Sequence, residues 1–273
     1  FTWNPRNVVV AGQGGVAKFL DNGQLKFIPY NKLFRRTEFI SIDGYGKFEG
    51  IANRDSLKYQ AIYGLENVRT MYRGTLRRVG FSRAWDVFVQ IGATDDSYQL
   101  VNTEEMTYRQ FINSFLPYNS SDSIELKLRH YLKIDQDDIL WSKLVWLGIF
   151  ENKKIGLKNA TPAQILQKIL MDKWTLDPED KDMIVMWHKL IYKTKAGKLK
   201  EIHSSMVSIG EDQIYTAMSN TVGLPVGICC KLILNGTIKE TGVNLPINEV
   251  FYEPILKELK EYNISFNEKE ILK

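Results

Sequence analysis

The chain predicts an α+β fold, a mostly antiparallel sheet flanked by helices with an inserted all-helical subdomain. Three observations predict it. Extended runs broken by Gly, Asn and Asp fill much of the first hundred residues; four amphipathic segments separated by Pro, Asn and Ser fill 104–182; and a long hairpin pattern flanks Lys195-Ala196-Gly197-Lys198. The expected organisation is one α+β domain assembled from 1–103 and 183–273, with a helical insert at 104–182.

The opening stretch NVVVAGQGGVAKFL (7–20) carries Gly12-x-Gly14-x-x-Ala17 after three valines, the spacing of a dinucleotide-binding turn. The remainder of that motif is missing. Only VAKFLD precedes the turn signal Asn22-Gly23, too short for a crossover helix, and the stretch about twenty residues on offers Arg35-Arg36 ahead of Glu38. Asn4 as N-cap and Pro5 at the first helical position instead predict a helix from Pro5 to about Leu20, its glycines allowing close packing. QLKFIPY then reads as a strand, 39–56 as extended structure with glycine turns, and 68–74 as another strand. Over 75–93, apolar residues at Leu76, Val79, Trp85, Phe88, Val89 and Ile91 predict a helix capped by Thr75. Within 104–182 the four helices are expected around 104–117, 123–134, 137–150 and 161–174, with Thr161-Pro162 a cap-plus-first-position start. The last third reads as the hairpin 182–210, an apolar helix ended by Asn235-Gly236, a short extended stretch, and the helix YEPILKELKEYN.

Composition excludes several classes. The 273 residues are 44% hydrophobic and 25% charged, enough for a sizeable core. A net charge of +4, from 36 basic against 32 acidic residues scattered along the chain, predicts a solvated surface and no nucleic-acid footprint. No apolar run of the ~18 residues a membrane helix needs is read, so a soluble, cytoplasmic protein is expected, without membrane partners. The chain opens on Phe1 without a signal peptide and is read as trimmed at its start. Cys229 and Cys230 read as buried reduced thiols, and the widely spaced His130, His188 and His203 predict no metal site.

Several segments in order, YRGTLRRVGF, NRDS, MWHKL, GLPVGICCKLILNGTIKETGV and YEPILKELKEYNI, resemble the saccharopine dehydrogenase family, in particular its NADP-dependent, L-glutamate-forming branch. FTWNPRN is similar to the segment that begins the family's second domain. The resemblance implies the substrate-binding and dimerisation portion of an oxidoreductase of lysine metabolism, joining 2-aminoadipate 6-semialdehyde to glutamate with NADPH to form saccharopine, or the reverse. It also implies a homodimer, an amino-dicarboxylate substrate, and NADP held mainly by an N-terminal domain outside this chain. The chain alone is then expected to be inactive. A relative acting on a different amine, and a noncatalytic assembly module, are the alternatives.

Such a substrate needs cationic or amide anchors, because an unpaired carboxylate in a partly dry cleft is costly. Arg73 matches the family arginine that contacts saccharopine. The reading places it at the end of a strand, before a helix N-terminus offering the N–H groups of Thr75 and Leu76. Arg54 is the second candidate, with Asn53 as amide partner and Asp55 as a competing ion-pair partner; Arg77 lies one helical turn beyond Arg73, and Arg78 points further round toward solvent. Trp3 is a candidate wall of the cofactor or substrate pocket. Thr94, Asp95 and Asp96 read as a surface helix end. His188 and His203 read as structural sheet histidines, and Ser204 or Ser205 as within reach of a bound carboxylate. No acid/base dyad converges, so the catalytic residues are left unassigned.

Overall fold

The computed structural model describes residues 1–13 and 15–271, and Gly14 of the glycine stretch lies outside them. Helices and antiparallel sheets alternate, so the α+β expectation holds. The chain divides into two compact units, Trp3–Thr175 (with Phe1) and Leu176–Lys273 (with Thr2). The boundary therefore falls after Thr175 rather than on either side of a helical insert.

In the first unit, helix α1 covers only Pro5–Val9. Asn4 caps it as expected, its side chain accepting from the Arg6 N–H at 3.0 Å, but Val8-Val9-Val10 disfavours helix and Gly12 adopts φ 85°. The long helix to Leu20 is thus overturned. In its place strand β1 (Ala17–Asp21) pairs with β2 (Gln24–Ile28) across a two-residue turn. Asn22 and Gly23 both take positive φ, 50° and 83°, the combination such a hairpin turn demands. After the short helix α2 (Tyr30–Leu33), a second sheet runs in the order β3 (Thr37–Ile42), β4 (Gly46–Ala52), β5 (Gly74–Arg78). Residues 74–78 are therefore strand, not the first turns of a helix. Helix α3 spans Phe81–Ile91 and begins where Gly80 turns left-handed at φ 92°. Its free N–H groups are met by Glu49 of β4: Gly80 donates to one carboxylate oxygen at 3.2 Å and Ser82 to the other.

Strand β6 (Leu100–Val101) pairs with β7 (Asn159–Ala160), and between and after them lie α4 (Tyr108–Asn113), α5 (Ile124–Leu132), α6 (Ile139–Trp146) and α7 (Pro162–Trp174). These are the four expected helices. Local capping explains their starts: Thr107 with Gln110 and Thr161 with Gln164 form capping boxes, and Ser123 and Asp138 cap α5 and α6. They are not a separate body. Phe111, Leu128, Leu144, Leu166 and Ile169 share one buried core with Phe19, Ile51, Trp85 and Phe88 from the sheets and α3.

In the second unit, β8 (Met183–Lys193) and β9 (Leu199–Ile209) form the expected hairpin, and β10 (Asn267–Ile271) adds to β9. Helices α8 (Ala217–Leu234) and α9 (Glu249–Leu259) supply Ile228, Leu232, Phe251, Ile255 and Leu259 to a core completed by Met206 of β9. Two expectations change here. Cys230 is exposed and Cys229 half-buried, so the thiols are not both interior. Moreover, α8 is 18 residues long with mean hydropathy 1.5, enough by length and composition to cross a membrane, and only 17% of it is buried within the structure.

Candidate functional site

A cavity of about 310 Å³ opens in the first unit, at the end of β4 and β5. Its lining includes Asn53, Arg54, Arg73, Thr75 and Arg77, all five of the residues singled out as substrate anchors. The mechanism that gathers them differs from the one expected. Thr75 and Leu76 are paired with Ile51 and Gly50 of β4 in an antiparallel ladder, so no helix N-terminus stands beside Arg73. Alternation along an extended chain does the work: residues 73, 75 and 77 project to one side, two residues apart. The same correction applies to Arg77, which is not a helical turn from Arg73 but four residues further along the extended chain, within β5.

Backbone bonds hold the cavity rim. The Asn53 N–H donates to the Arg73 carbonyl at 2.9 Å, and the Arg73 N–H donates to the buried Ser56 hydroxyl at 3.0 Å. Across the strands, the Asn53 amide donates to the Thr75 hydroxyl at 3.4 Å. Arg54 sits on the turn between β4 and a 3-10 segment (Ser56–Tyr59), with φ 46°, a left-handed backbone that non-glycine residues rarely adopt. Asp55 is not its partner. That carboxylate accepts from the Leu57 N–H at 2.9 Å and faces Lys18 at 3.6 Å.

The electrostatics are one-sided. Among the described residues, no carboxylate lies within ion-pair distance of Arg54, Arg73 or Arg77. Aromatic rings replace acids: the Arg73 guanidinium lies 3.9 Å over Tyr59, and that of Arg77 lies 5.4 Å from the Phe81 ring. Burial pulls the Arg77 guanidinium below its ordinary pKa, the mark of a cation taken from water without a counter-ion. Arg78, on the opposite side of β5, is exposed, stacks 4.6 Å over Phe48 and donates to the Tyr45 carbonyl. Tyr59, Phe81 and Trp85 also line the walls and were not singled out from the sequence as site residues.

Among the described residues, the lining holds no Asp, Glu, His, Lys or Cys. An arrangement of three guanidiniums, two amides (Asn7 and Asn53) and two hydroxyls (Tyr59 and Thr75) can fix the carboxylates of a ligand and orient it, but offers no carboxylate or imidazole as proton acceptor.

The remaining candidates lie elsewhere. Trp3 is 51% exposed and does not line this cavity. Thr94 is buried, not a surface helix end: its hydroxyl accepts from Tyr30 at 3.0 Å and its carbonyl from Gln13, while Asp96 pairs with Arg6. In the second unit, His203 bonds Glu201 at 2.9 Å and packs its ring edge-on to Trp187; His188 contacts the Phe266 ring, and burial lowers its pKa. The Ser204 hydroxyl lies 3.5 Å from the Glu268 carboxylate of this same chain. No group of three or more His, Cys, Asp or Glu arranged to hold a metal occurs among the described residues.

The opening segment also fails as a dinucleotide cradle. A five-residue helix precedes the glycines, an antiparallel hairpin follows them, and every strand pair in the named sheets is antiparallel, so no βαβ unit surrounds them. The described residues do not fit NADP there.

Fold and cavity together define an α+β chain with an arginine-lined cavity. Comparison with known proteins makes the assignment specific: residues 1–264 match the model of the saccharopine dehydrogenase C-terminal domain, and the chain belongs to that family. It is 32% identical over 229 residues to the mitochondrial alpha-aminoadipic semialdehyde synthase of Rattus norvegicus, covering 82% of this chain and 25% of that one. It is 29% identical over 279 residues to the saccharopine dehydrogenase [NADP(+), L-glutamate-forming] of Saccharomyces cerevisiae, covering 99% and 62%. The solved structure of the apo histidine-tagged saccharopine dehydrogenase (L-Glu forming) from S. cerevisiae superposes with a TM-score of 0.86 at 28% identity, over 100% of this chain and 62% of that one. The chain thus spans a quarter of the first relative and under two thirds of the second.

Proposed function

We propose that this chain is the substrate-binding part of a saccharopine dehydrogenase-like oxidoreductase of lysine metabolism, and that its arginine-lined cavity holds the carboxylates of an amino-dicarboxylate. One observation carries the reading: Arg54, Arg73 and Arg77 converge on a single cavity with no acidic partner among the described residues. A desolvated cation left unpaired, as Arg77 is, costs stability, and a ligand that brings the missing anion recovers it. About 310 Å³ suits a ligand of amino-acid size, and saccharopine offers three carboxylates. Arg73 and Arg77 bind carboxylates as forks, Asn53 and Thr75 orient the chain between them, and Arg54 closes the rim.

The S. cerevisiae saccharopine dehydrogenase is named for NADP(+), and the poor fit of the glycine stretch supports a cofactor site outside the described residues. NADP, when bound, supplies hydride chemistry; this chain's contribution is positioning and charge neutralisation. The chain by itself is expected to show no NADPH turnover. Homodimerisation and a cytoplasmic location belong to the same reading, tested by sedimentation and by cell fractionation.

Calorimetric titration with saccharopine tests the site. The 273-residue chain should bind it, and Arg73→Ala should weaken binding by roughly 10–150-fold, the worth of a charge-assisted bond. Equal affinity in both proteins would overturn the assignment.

A further inference from the structure

We infer that Tyr59 is a positioning residue for Arg73, seating its guanidinium so that the whole hydrogen-bonding fork faces the cavity; the inference rests on the carboxylate reading. The geometry begins with chemistry. A guanidinium can be held by an acid or by an aromatic face, and the two have opposite consequences. A carboxylate occupies the in-plane N–H groups, whereas a ring attracts the cation from above and leaves those donors unspent. Arg73 lies 3.9 Å over the Tyr59 ring, and among the described residues its side chain has neither an ion-pair partner nor a hydrogen bond.

The ring is itself held. Tyr59 closes the 3-10 segment Ser56–Tyr59, which the Asp55 side chain caps, and it stacks on Tyr63 at 6.1 Å with an interplanar angle of 16°. The Tyr63 N–H donates to the Tyr59 carbonyl at 3.1 Å, fixing the spacing of the two rings. Tyr59 thus contacts both a second ring and the cation. The same short segment also ties down the backbone of Arg73, through Asn53 and Ser56. Residues 53–63 therefore form a cradle that presets one arginine, which lowers the ordering cost when a ligand arrives. The Tyr59 hydroxyl takes no part in this.

The test uses the 273-residue chain and saccharopine as probe. Tyr59→Leu and Tyr59→Gln, apolar and polar replacements that both lack the ring, should each weaken saccharopine binding roughly tenfold by calorimetry, within the range of a partly desolvated cation–π contact. Tyr59→Phe should restore wild-type affinity. NMR supplies a readout that a merely structural role would not move: the Arg73 Nε–H resonance, assigned by its loss in Arg73→Lys, should carry an upfield ring-current shift in wild type and Tyr59→Phe, and lose it in the other two. Wild-type affinity in Tyr59→Leu and Tyr59→Gln, or an unmoved Arg73 resonance, overturns the positioning role while leaving the carboxylate site standing. Failure of the wild-type chain to bind saccharopine overturns the carboxylate reading and this inference with it.

Discussion

Arg77→Met separates a binding cation from a structural one, because the two readings predict opposite signs for stability. In the ligand-free chain Arg77 donates to the Leu76 carbonyl at 3.0 Å and lies 5.4 Å from the Phe81 ring. Together these are worth about 1–2 kcal/mol. Against them stands the desolvation of a cation with no acid nearby, on the order of several kcal/mol per ion. Methionine keeps most of the aliphatic stem and removes the charge. The variant should therefore be more stable without ligand by about 1 kcal/mol, raising Tm by about 2–4 °C for a unit of this size. Saccharopine affinity should fall in the same protein by roughly 10–150-fold, since one charge-assisted bond is lost. Urea denaturation, thermal melts and calorimetry on the same preparations measure both effects. A variant that is less stable than wild type by 1 kcal/mol, or that binds saccharopine equally well, would refute the claim that this arginine awaits an anion.

Other outcomes follow from the scaffold. Glu49→Gln weakens the cap on α3, where the carboxylate receives the Gly80 and Ser82 N–H groups; a loss of about 1–2 kcal/mol in urea unfolding is expected, and no loss would show that the cap is idle. Leu166→Ala empties a fully buried position shared by the sheets and the four helices, and should cost about 2–5 kcal/mol in a single cooperative transition of the first unit. A split transition for 104–175 would contradict the shared core. Glu125 has its pKa lowered chiefly by its bidentate bond to Arg109. Its contribution to stability is therefore complete above its ordinary value of 4.5 and lost as pH falls through the lower folded value. Below pH 4.5, wild type should lose stability faster than Glu125→Gln; parallel acid curves would remove the ion pair from the account.

The four helices of 104–174 were legible because their signals are local. Thr107, Ser123 and Thr161 satisfy N–H groups within their own first turns, and each helix carries its own apolar stripe. The hairpin at Lys195–Lys198 was legible for the same reason; at Asn22-Gly23 only the turn and the strand after it were, and the hairpin's first strand reads from sequence as helix. Leu76 and Val79, three residues apart, continue the helical spacing of α3, so 74–80 reads from sequence as helix. Pairing with β4 and the carboxylate of Glu49, 31 residues before Gly80, overrides that reading. The candidate residues gather on one cavity, but not by the expected route: chemistry named arginines, and the expected helix mouth does not exist. Tyr59 was not named because an exposed-looking tyrosine after a turn announces no partner until Arg73 is laid across it.

By itself, then, the amino-acid order determined which segments can bond to themselves and which side chains can meet carboxylates. Helical caps, two-residue turns and arginine forks are decided within a few residues, so they are written locally. Only the tertiary structure decided that 74–78 is a strand, that the helices share a core with the first sheets, and that three arginines converge on one cavity without acids. Those outcomes depend on β4 and β5, on Glu49, and on an aromatic ring 14 residues before its arginine, and contacts at that distance leave no period in the sequence.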